Sequence, residues 1–358
     1  MAKFSVSCGG TGGHVFPGIA TASALKKRGH DVTLFLSGKA IETATRHAWD
    51  GPVVSIGAEK FSFHPLRLPR TLYTILRAFL TSLKALRQQN PQAVLAMGSY
   101  SSLGPVLAAR CLGIPVILHE ANVIPGKAVT TLSRFAKAIA ISFPETRQHL
   151  HHSAITLTGL PLRKEMEQAA IAVTPEPAAF TVLTMGGSQG AQRLNETLPI
   201  ALGQLLASGI PVEAIHLSGE KAKATVEAAY RTANVPATVY GFCSDMVSTY
   251  QRTSIAISRS GANSCMELAL FGIPALHVPY PHSARDHQLA NARAMAEAGA
   301  AVLIEQDDLT PEHLAATLRE FATAPSKRTA MKNSARARAL TGADKALADL
   351  IEKVAATR

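Results

Sequence analysis

The sequence predicts an α/β protein of two doubly wound parallel-sheet domains facing each other across a cleft. Three observations predict it. Strand-like and helix-like runs alternate through both halves of the 358 residues. Two glycine turns, Gly9-Gly10-Thr11-Gly12-Gly13-His14 and Gly186-Gly187-Ser188-Gln189-Gly190, each follow a β-type run and open a helical one. A proline-bearing stretch at 174–177 falls between the halves. Such alternation gives parallel strands with helices on both faces, and the length suffices for two cores.

In order, the first half reads as a strand at 3–8, a helix at 17–28 ended by Gly29-His30, and strands at 31–36 and 53–56. A helix at 72–88, a strand at 93–97, a helix at 105–112 and strands at 115–119 and 138–142 follow. The second half restarts with a strand at 180–185, a helix at 191–207 and strands at 213–218, 238–240 and 255–258. A helix at 264–271 and a strand at 275–278 precede Ala-rich helices from 311 onward. The domain reading is 1–163, joined by a C-terminal helix at 341–358, and 164–340.

Hydrophobic residues at 47% and charged residues at 17% mark a globular chain. Aromatics at 5% weigh against single-strand nucleic-acid platforms, and no zinc-finger or basic-arm signature is present, so nucleic acid is not the expected partner. The net charge of +11 calls for another anionic partner, a phosphorylated substrate or a membrane surface. Cys8, Cys111, Cys243 and Cys265 are too scattered for a zinc or disulfide frame. No leader and no apolar run of about 20 residues is read, so the protein is expected in the cytosol or on a membrane surface.

A strand turning through glycines into a helix directs backbone N–H groups at one spot, with the helix dipole behind them. The Gly9–Gly13 turn is not a dinucleotide fingerprint, and no P-loop pattern is present. Gly12 and Gly13 permit close backbone approach by a substrate, and His14 begins the helix; its plain alternative is a helix-start histidine without a chemical role. Ser188 in the second turn is a candidate hydroxyl donor to phosphate; a tight βα turn is the alternative. The run Ser258-Arg259-Ser260-Gly261-Ala262-Asn263-Ser264-Cys265-Met266-Glu267 starts another helix. Glu267, one turn in, suits ribose hydroxyls, or is a solvated helix glutamate. The polar run at 279–291, with Gln288 and Asn291, suits sugar hydroxyls, or is a surface loop. No Asp-x-Asp pair exists, so neither a metal nor another cofactor is expected.

From Lys60 through His119 there is no Asp or Glu. Leu72, Ile75, Leu76, Phe79, Leu83 and Leu86 recur there at helical spacing, beside Arg67, Arg70, Arg77, Lys84 and Arg87. Two readings stay open: a core-facing helix with a basic outer face, and an interfacial helix on anionic lipid.

Together these segments resemble the MurG family of peptidoglycan N-acetylglucosaminyltransferases, of GT-B fold. The resemblance rests on residues 9–18, Met97-Gly98-Ser99-Tyr100, His119-Glu120-Ala121-Asn122, 186–191, Arg259-Ser260-Gly261-Ala262 and Asp286-His287-Gln288. Leu160, Ser99 and Ala121 depart from the family pattern. The resemblance implies inverting GlcNAc transfer from UDP-GlcNAc to undecaprenyl-diphosphate-linked MurNAc-pentapeptide (lipid I), giving lipid II. It implies Ser188 and Arg163 on the donor diphosphate, Cys243 at uracil, residues Ala262, Asn263, Ser264, Cys265 and Met266 around the nucleotide, and Glu267 on the ribose. Gln288 and Asn291 would then hold GlcNAc, and Thr11, Gly12, Gly13, Tyr100 and Asn122 the acceptor. His14 is the leading candidate base and Glu120 the second. The implied location is the cytoplasmic face of the bacterial inner membrane, with cell-wall and division proteins as further partners.

Overall fold

The structure, a computed structural model, describes residues 1–38, 48–58, 68–172, 179–187 and 191–357. Ser188, Arg67 and the stretch 174–177 therefore lie outside the described residues. The chain divides into two compact units, Met1–Lys164 with Leu340–Arg358, and Glu165–Ala339.

The first unit runs β1 (Lys3–Ser7), α1 (Gly12–Lys27), β2 (Asp31–Leu36), β3 (Val53–Ser55), α2 (Leu68–Gln89) and β4 (Ala93–Ala96). It continues through α3 (Leu103–Cys111), β5 (Val116–Glu120), α4 (Lys127–Leu132), β6 (Ala138–Ile141) and β7 (Ile155–Leu157). Its seven strands are all parallel, in the order β3-β2-β1-β4-β5-β6-β7. Side chains of β4 alternate between two cores: Ala93 and Leu95 join Val6, Leu25 and Ile351 on one face, Val94 and Ala96 join Val106 and Leu118 on the other. That is the period of two expected of a strand buried on both sides.

At the boundary stands α5 (Lys164–Ile171). The second unit then runs β8 (Phe180–Met185), α6 (Gln192–Ala207), β9 (Val212–Leu217), α7 (Lys223–Thr232), β10 (Ala237–Tyr240), α8 (Met246–Gln251) and β11 (Ile255–Ser258). There follow α9 (Ala262–Phe271), β12 (Ala275–His277), α10 (His287–Glu297), β13 (Ala301–Leu303), α11 (Pro311–Thr323) and α12 (Pro325–Arg338). Its six strands are parallel, in the order β10-β9-β8-β11-β12-β13.

The closing helix, α13 (Ala343–Ala356), belongs to the first unit. Leu347 and Ile351 are fully buried there. Arg28, just past α1, pairs with Asp349 at 2.6 Å and Glu352 at 2.8 Å, and His30 meets the other oxygen of Glu352 at 2.8 Å.

Two boundaries differ from expectation with consequences for the site. The helix expected from residue 17 begins at Gly12, because Thr11 takes the extended N-cap conformation and its carbonyl accepts from His14 and Val15 N–H. Gly12, Gly13 and His14 are thus its first turn. The helix expected from 72 begins at Leu68.

Candidate active site

In a doubly wound sheet, ligands bind beyond the carboxyl ends of strands where the order reverses. In the first unit that point lies between β1 and β4; in the second, between β8 and β11. Among the described residues, the segments leaving these four strands are 8–11, 97–102, 186–187 and 259–261. Gly9, Gly10, Gly98, Gly186, Gly187 and Gly261 fall there.

In the first unit, His14 is half-buried in the first turn of α1, close enough to buried His119 for its charge to oppose protonation there. Burial is the larger cause, and the His119 pKa falls to about 4. His119 Nε2 lies 3.2 Å from the Gly159 carbonyl and 3.3 Å from Ser142 Oγ. Thr11 is exposed, and Gly12 and Gly13 half-buried. No acidic side chain occupies the first turn of α1, which leaves the helix dipole uncompensated by carboxylate. Tyr100 sits between the glycine turn and α2. A Cβ placed on Gly10 would lie 3.5 Å from its ring, and the ring lines a small hollow with Thr74, Ile75 and Ala78 of α2.

Glu120, the second candidate base, braces the loop that follows it. It is 3% exposed, and its carboxylate accepts Asn122 N–H at 2.9 Å, Asn122 Nδ2 at 3.2 Å and Gly126 N–H at 2.8 Å. Burial raises its pKa, against these hydrogen bonds. Asn122, held on both its backbone and its amide, keeps the loop 121–126 in shape. Arg163, expected among the donor-binding residues, belongs to the first unit, with its guanidinium over the Phe16 ring of α1 at 5.4 Å. Leu160 and Leu162, just before it, are buried.

In the second unit, Gly186, Gly187, Gly261, Ser264 and Gln288 line one open pocket together with Gln192, Arg193, Glu196, Arg259, Tyr280 and Gln306. The start of α9 opens on it, with Gly261 as an extended N-cap and no carboxylate in the first turn. Arg259 is 8% exposed; it donates to the carbonyls of Val278 at 3.1 Å and Pro279 at 2.9 Å, and to Gln306 Oε1 at 2.6 Å. All three acceptors are neutral, and no carboxylate among the described residues pairs with it. Burial lowers its pKa. A buried cation held by neutral acceptors, beside a helix N-terminus, has the chemistry to take phosphate. Sequence reasoning quoted Arg259 in a motif and gave it no role.

The rest of the expected donor set sorts by orientation. Gln288 Oε1 accepts the Tyr280 N–H at 2.9 Å, which fixes its amide at the pocket wall. Asn291 is fully buried, and Nδ2 donates to the Ser260 carbonyl at 3.0 Å. Expected as a sugar contact, it braces the 259–261 turn. Cys265 and Met266 turn into the core, and burial pushes the Cys265 thiol up to about 12. Ala262 is buried, while Asn263 and Ser264 are half-buried. Cys243 lies in the turn before α8, its thiol 3.4 Å from both Asp245 O and Thr249 Oγ1. Next to it Phe242 is 73% exposed, an uncovered ring that the sequence did not flag. Glu267 receives the Tyr250 hydroxyl.

The basic helix α2 also divides. Ala78, Ser82 and Leu86 are buried, and Ile75, Phe79 and Leu83 half-buried. Leu72, Tyr73, Leu76 and Leu80 are between 52% and 63% exposed. Arg77 and Lys84 are exposed at a spacing of seven alongside them. Of the residues expected to face lipid, Phe79 and Leu83 pack partly against the core and Ile75 is half-buried, while Tyr73 and Leu80 join Leu72 and Leu76 in the exposed stripe. No helix among the described residues is long and apolar enough to cross a membrane.

Residues 4–141 match the glycosyltransferase family 28 N-terminal domain and residues 181–353 the glycosyltransferase family 28 C-terminal domain. A UDP-N-acetylglucosamine–N-acetylmuramyl-(pentapeptide) pyrophosphoryl-undecaprenol N-acetylglucosamine transferase of Xanthomonas axonopodis pv. citri is 36% identical over 362 residues, covering 97% of this chain and 80% of its own length. The same-named protein of Xylella fastidiosa (strain Temecula1) is 33% identical, covering 97% and 96%. The crystal structure of Acinetobacter baumannii MurG superposes with a TM-score of 0.81 at 31% identity, over 99% of this chain and 100% of that one. A putative UDP-N-acetylglucosamine 2-epimerase from Listeria monocytogenes superposes at 0.73 with 13% identity, over 98% and 97%, and shows the fold alone. The two Rossmann-like units are the GT-B architecture. With both domains matched and full-length relatives above 30% identity, the chain belongs to glycosyltransferase family 28.

Proposed function

We propose that this chain transfers N-acetylglucosamine from UDP-N-acetylglucosamine to the undecaprenyl-diphosphate-linked MurNAc-pentapeptide, forming lipid II with inversion at the transferred sugar. The observation that carries the reading is buried Arg259 beside the start of α9 in the second unit, in a chain whose full-length relatives bear that activity in their names.

In this reading the second unit holds the donor. Arg259, the α9 N-terminus and Ser188 take the diphosphate, and they stabilise the charge that grows on it as the glycosidic bond breaks. Glu267 accepts ribose hydroxyls, the backbone around Cys243 meets uracil with the exposed Phe242 ring beside it, and Gln288 meets GlcNAc. The first unit holds the acceptor: the Gly12–Gly13 start of α1 takes its diphosphate, with Tyr100 alongside. An acceptor-sugar hydroxyl attacks the anomeric carbon and gives its proton to His14, the bond to UDP breaks on the opposite side, and UDP leaves with both electrons of that bond. Arg259 supplies the positive charge at the leaving group, so turnover should persist in EDTA. The exposed stripe Leu72, Tyr73, Leu76 and Leu80, with Arg77 and Lys84, seats the enzyme on the anionic cytoplasmic face of the inner membrane. Each basic residue there contributes about 1 kcal/mol.

The deciding assay follows UDP release and sugar products with and without a short-chain lipid I analogue. Transfer that requires the acceptor is the expected result. Free N-acetylmannosamine, or donor binding without turnover, would overturn the assignment.

A further inference from the structure

Between β1 and the first turn of α1 the chain must reverse through Gly9 and Gly10. What holds it comes from 90 residues away. Ser99 Oγ and Ser101 Oγ both reach the Gly9 carbonyl, the latter at 2.8 Å, and the two hydroxyls also touch each other. Ser101 N–H donates to Ser99 Oγ at 3.1 Å, which fixes the Ser99 oxygen in turn. Both serines are buried, at 4% and 1% exposure.

The contact extends beyond the hydrogen bonds. Gly10 has φ +125°, and a Cβ on it would lie 3.3 Å from Ser99 Cβ and Oγ. Gly98 has φ +81°, and a Cβ there would come within 2.7 Å of the His119 carbonyl. The segment 98–101 is therefore wedged between the glycine turn and β5, and it cannot shift without moving one of them.

A trans peptide is planar, with C=O and N–H pointing in opposite directions. Fixing the Gly9 oxygen fixes the plane of the whole Gly9–Gly10 peptide, and with it the path into Thr11, Gly12 and Gly13. We infer that Ser99 and Ser101 are positioning residues for the acceptor diphosphate: together they hold the glycine turn in the shape that aims the start of α1 at that group. The inference rests on the proposed placement of the acceptor on this turn.

The two serines share one acceptor atom, which sets how their removal should combine. With one hydroxyl gone, the other still satisfies the Gly9 carbonyl, and the loss is that of a single neutral hydrogen bond, about 2- to 5-fold. With both gone, a buried carbonyl is left without a donor, and the loss rises to about 10- to 100-fold. The experiment is steady-state transfer with Ser99→Ala, Ser101→Ala and the double variant, varying UDP-GlcNAc and the lipid I analogue separately. The expected result is a rise in acceptor KM that is more than multiplicative in the double variant, with the KM for UDP-GlcNAc and calorimetric UDP affinity unchanged. An unchanged acceptor KM in an active double variant overturns the positioning role while leaving the transferase reading intact. Equal losses toward both substrates overturn it too, in favour of a general folding role. Should the double variant fail to fold, a donor-independent rise in acceptor KM for Ser101→Ala alone is the deciding measurement. Absence of acceptor-dependent turnover in the parent protein would instead sink the functional reading beneath it.

Discussion

The Tyr250 hydroxyl donates a 2.7 Å hydrogen bond to Oε2 of Glu267. Tyr250 is 2% exposed and packs beside Phe271 at 5.0 Å between ring centroids, so the hydroxyl is a fixed point. It orients a half-buried carboxylate that would otherwise sample several rotamers on α9. Glu267→Ala should weaken UDP binding by about 1–3 kcal/mol, the range for a lost charged hydrogen bond. Tyr250→Phe should cost less, because it frees the carboxylate without removing it. Calorimetric UDP affinity equal to the parent's in Glu267→Ala would reject the ribose role.

Arg259 makes a separable prediction. Among the described residues its guanidinium has neutral acceptors only, so its charge should act on phosphate and not on the nucleoside. Arg259→Gln is expected to lower affinity for UDP by about 10- to 100-fold, with uridine binding little changed. The melting temperature must be followed alongside, since the same side chain ties β12's exit to Gln306. A parallel loss for UDP and uridine would mean the pocket had collapsed.

For His14, a general base typically contributes 10²- to 10⁴-fold, so His14→Ala should lower kcat by about 100-fold or more with the KM for UDP-GlcNAc little changed. A fall of about tenfold or less would move the proton elsewhere, below the range a base supplies. Glu120 is a poor substitute, because its oxygens are committed to the 122–126 loop.

Stability should fall on mild acidification. His119 and His277 have pKa values lowered to about 4, and His216 to about 3, all by burial. Unfolded, each returns to its ordinary 6.5. Between those limits the unfolded chain binds more protons than the folded one. Their contribution is therefore complete above pH 6.5 and lost as pH falls toward 4, by about 2 kcal/mol per histidine at pH 5. Melting temperatures measured from pH 7.5 to pH 5 should drop steeply, and His277→Gln should shallow the slope. A flat profile would contradict the neutral buried state.

On vesicles, the protein should float with anionic and not neutral lipid. Leu72→Glu with Leu76→Glu should abolish flotation without a loss of melting temperature, since both side chains are more than half exposed. Phe79 is the wrong target, because it packs against the core of the first unit. Equal binding to neutral vesicles would point to a purely structural helix.

Much of this was legible in the chain, and the reasons for the gaps are physical. Both glycine turns and most parallel strands announce themselves because buried strands are continuous apolar runs. The strand β7 does not, since Ile155–Leu157 is an edge with its residues largely uncovered, and β13 is three residues long. Spacing identified α2 as amphipathic but not which apolar residues face outward, because its apolar arc is wider than its buried side. The resemblance offered Glu120 as a second base and Asn291 as a sugar contact; only the fold reveals that they point at neighbouring backbone. Arg259 escaped for the converse reason, as arginine is rarely buried and its isolation from carboxylates cannot be seen along a sequence. The pinning of Gly9 by Ser99 and Ser101 spans 90 positions and leaves no periodic trace.

The helix α13 sets an order of assembly. Residues 340–358 complete the first unit, yet a ribosome makes them only after all of 165–339. The contiguous second unit can finish folding during synthesis, while Arg28 and His30 wait for Asp349 and Glu352. A nascent chain stalled before residue 340 should therefore carry a protease-resistant second unit behind a first one still open along the flank of α1.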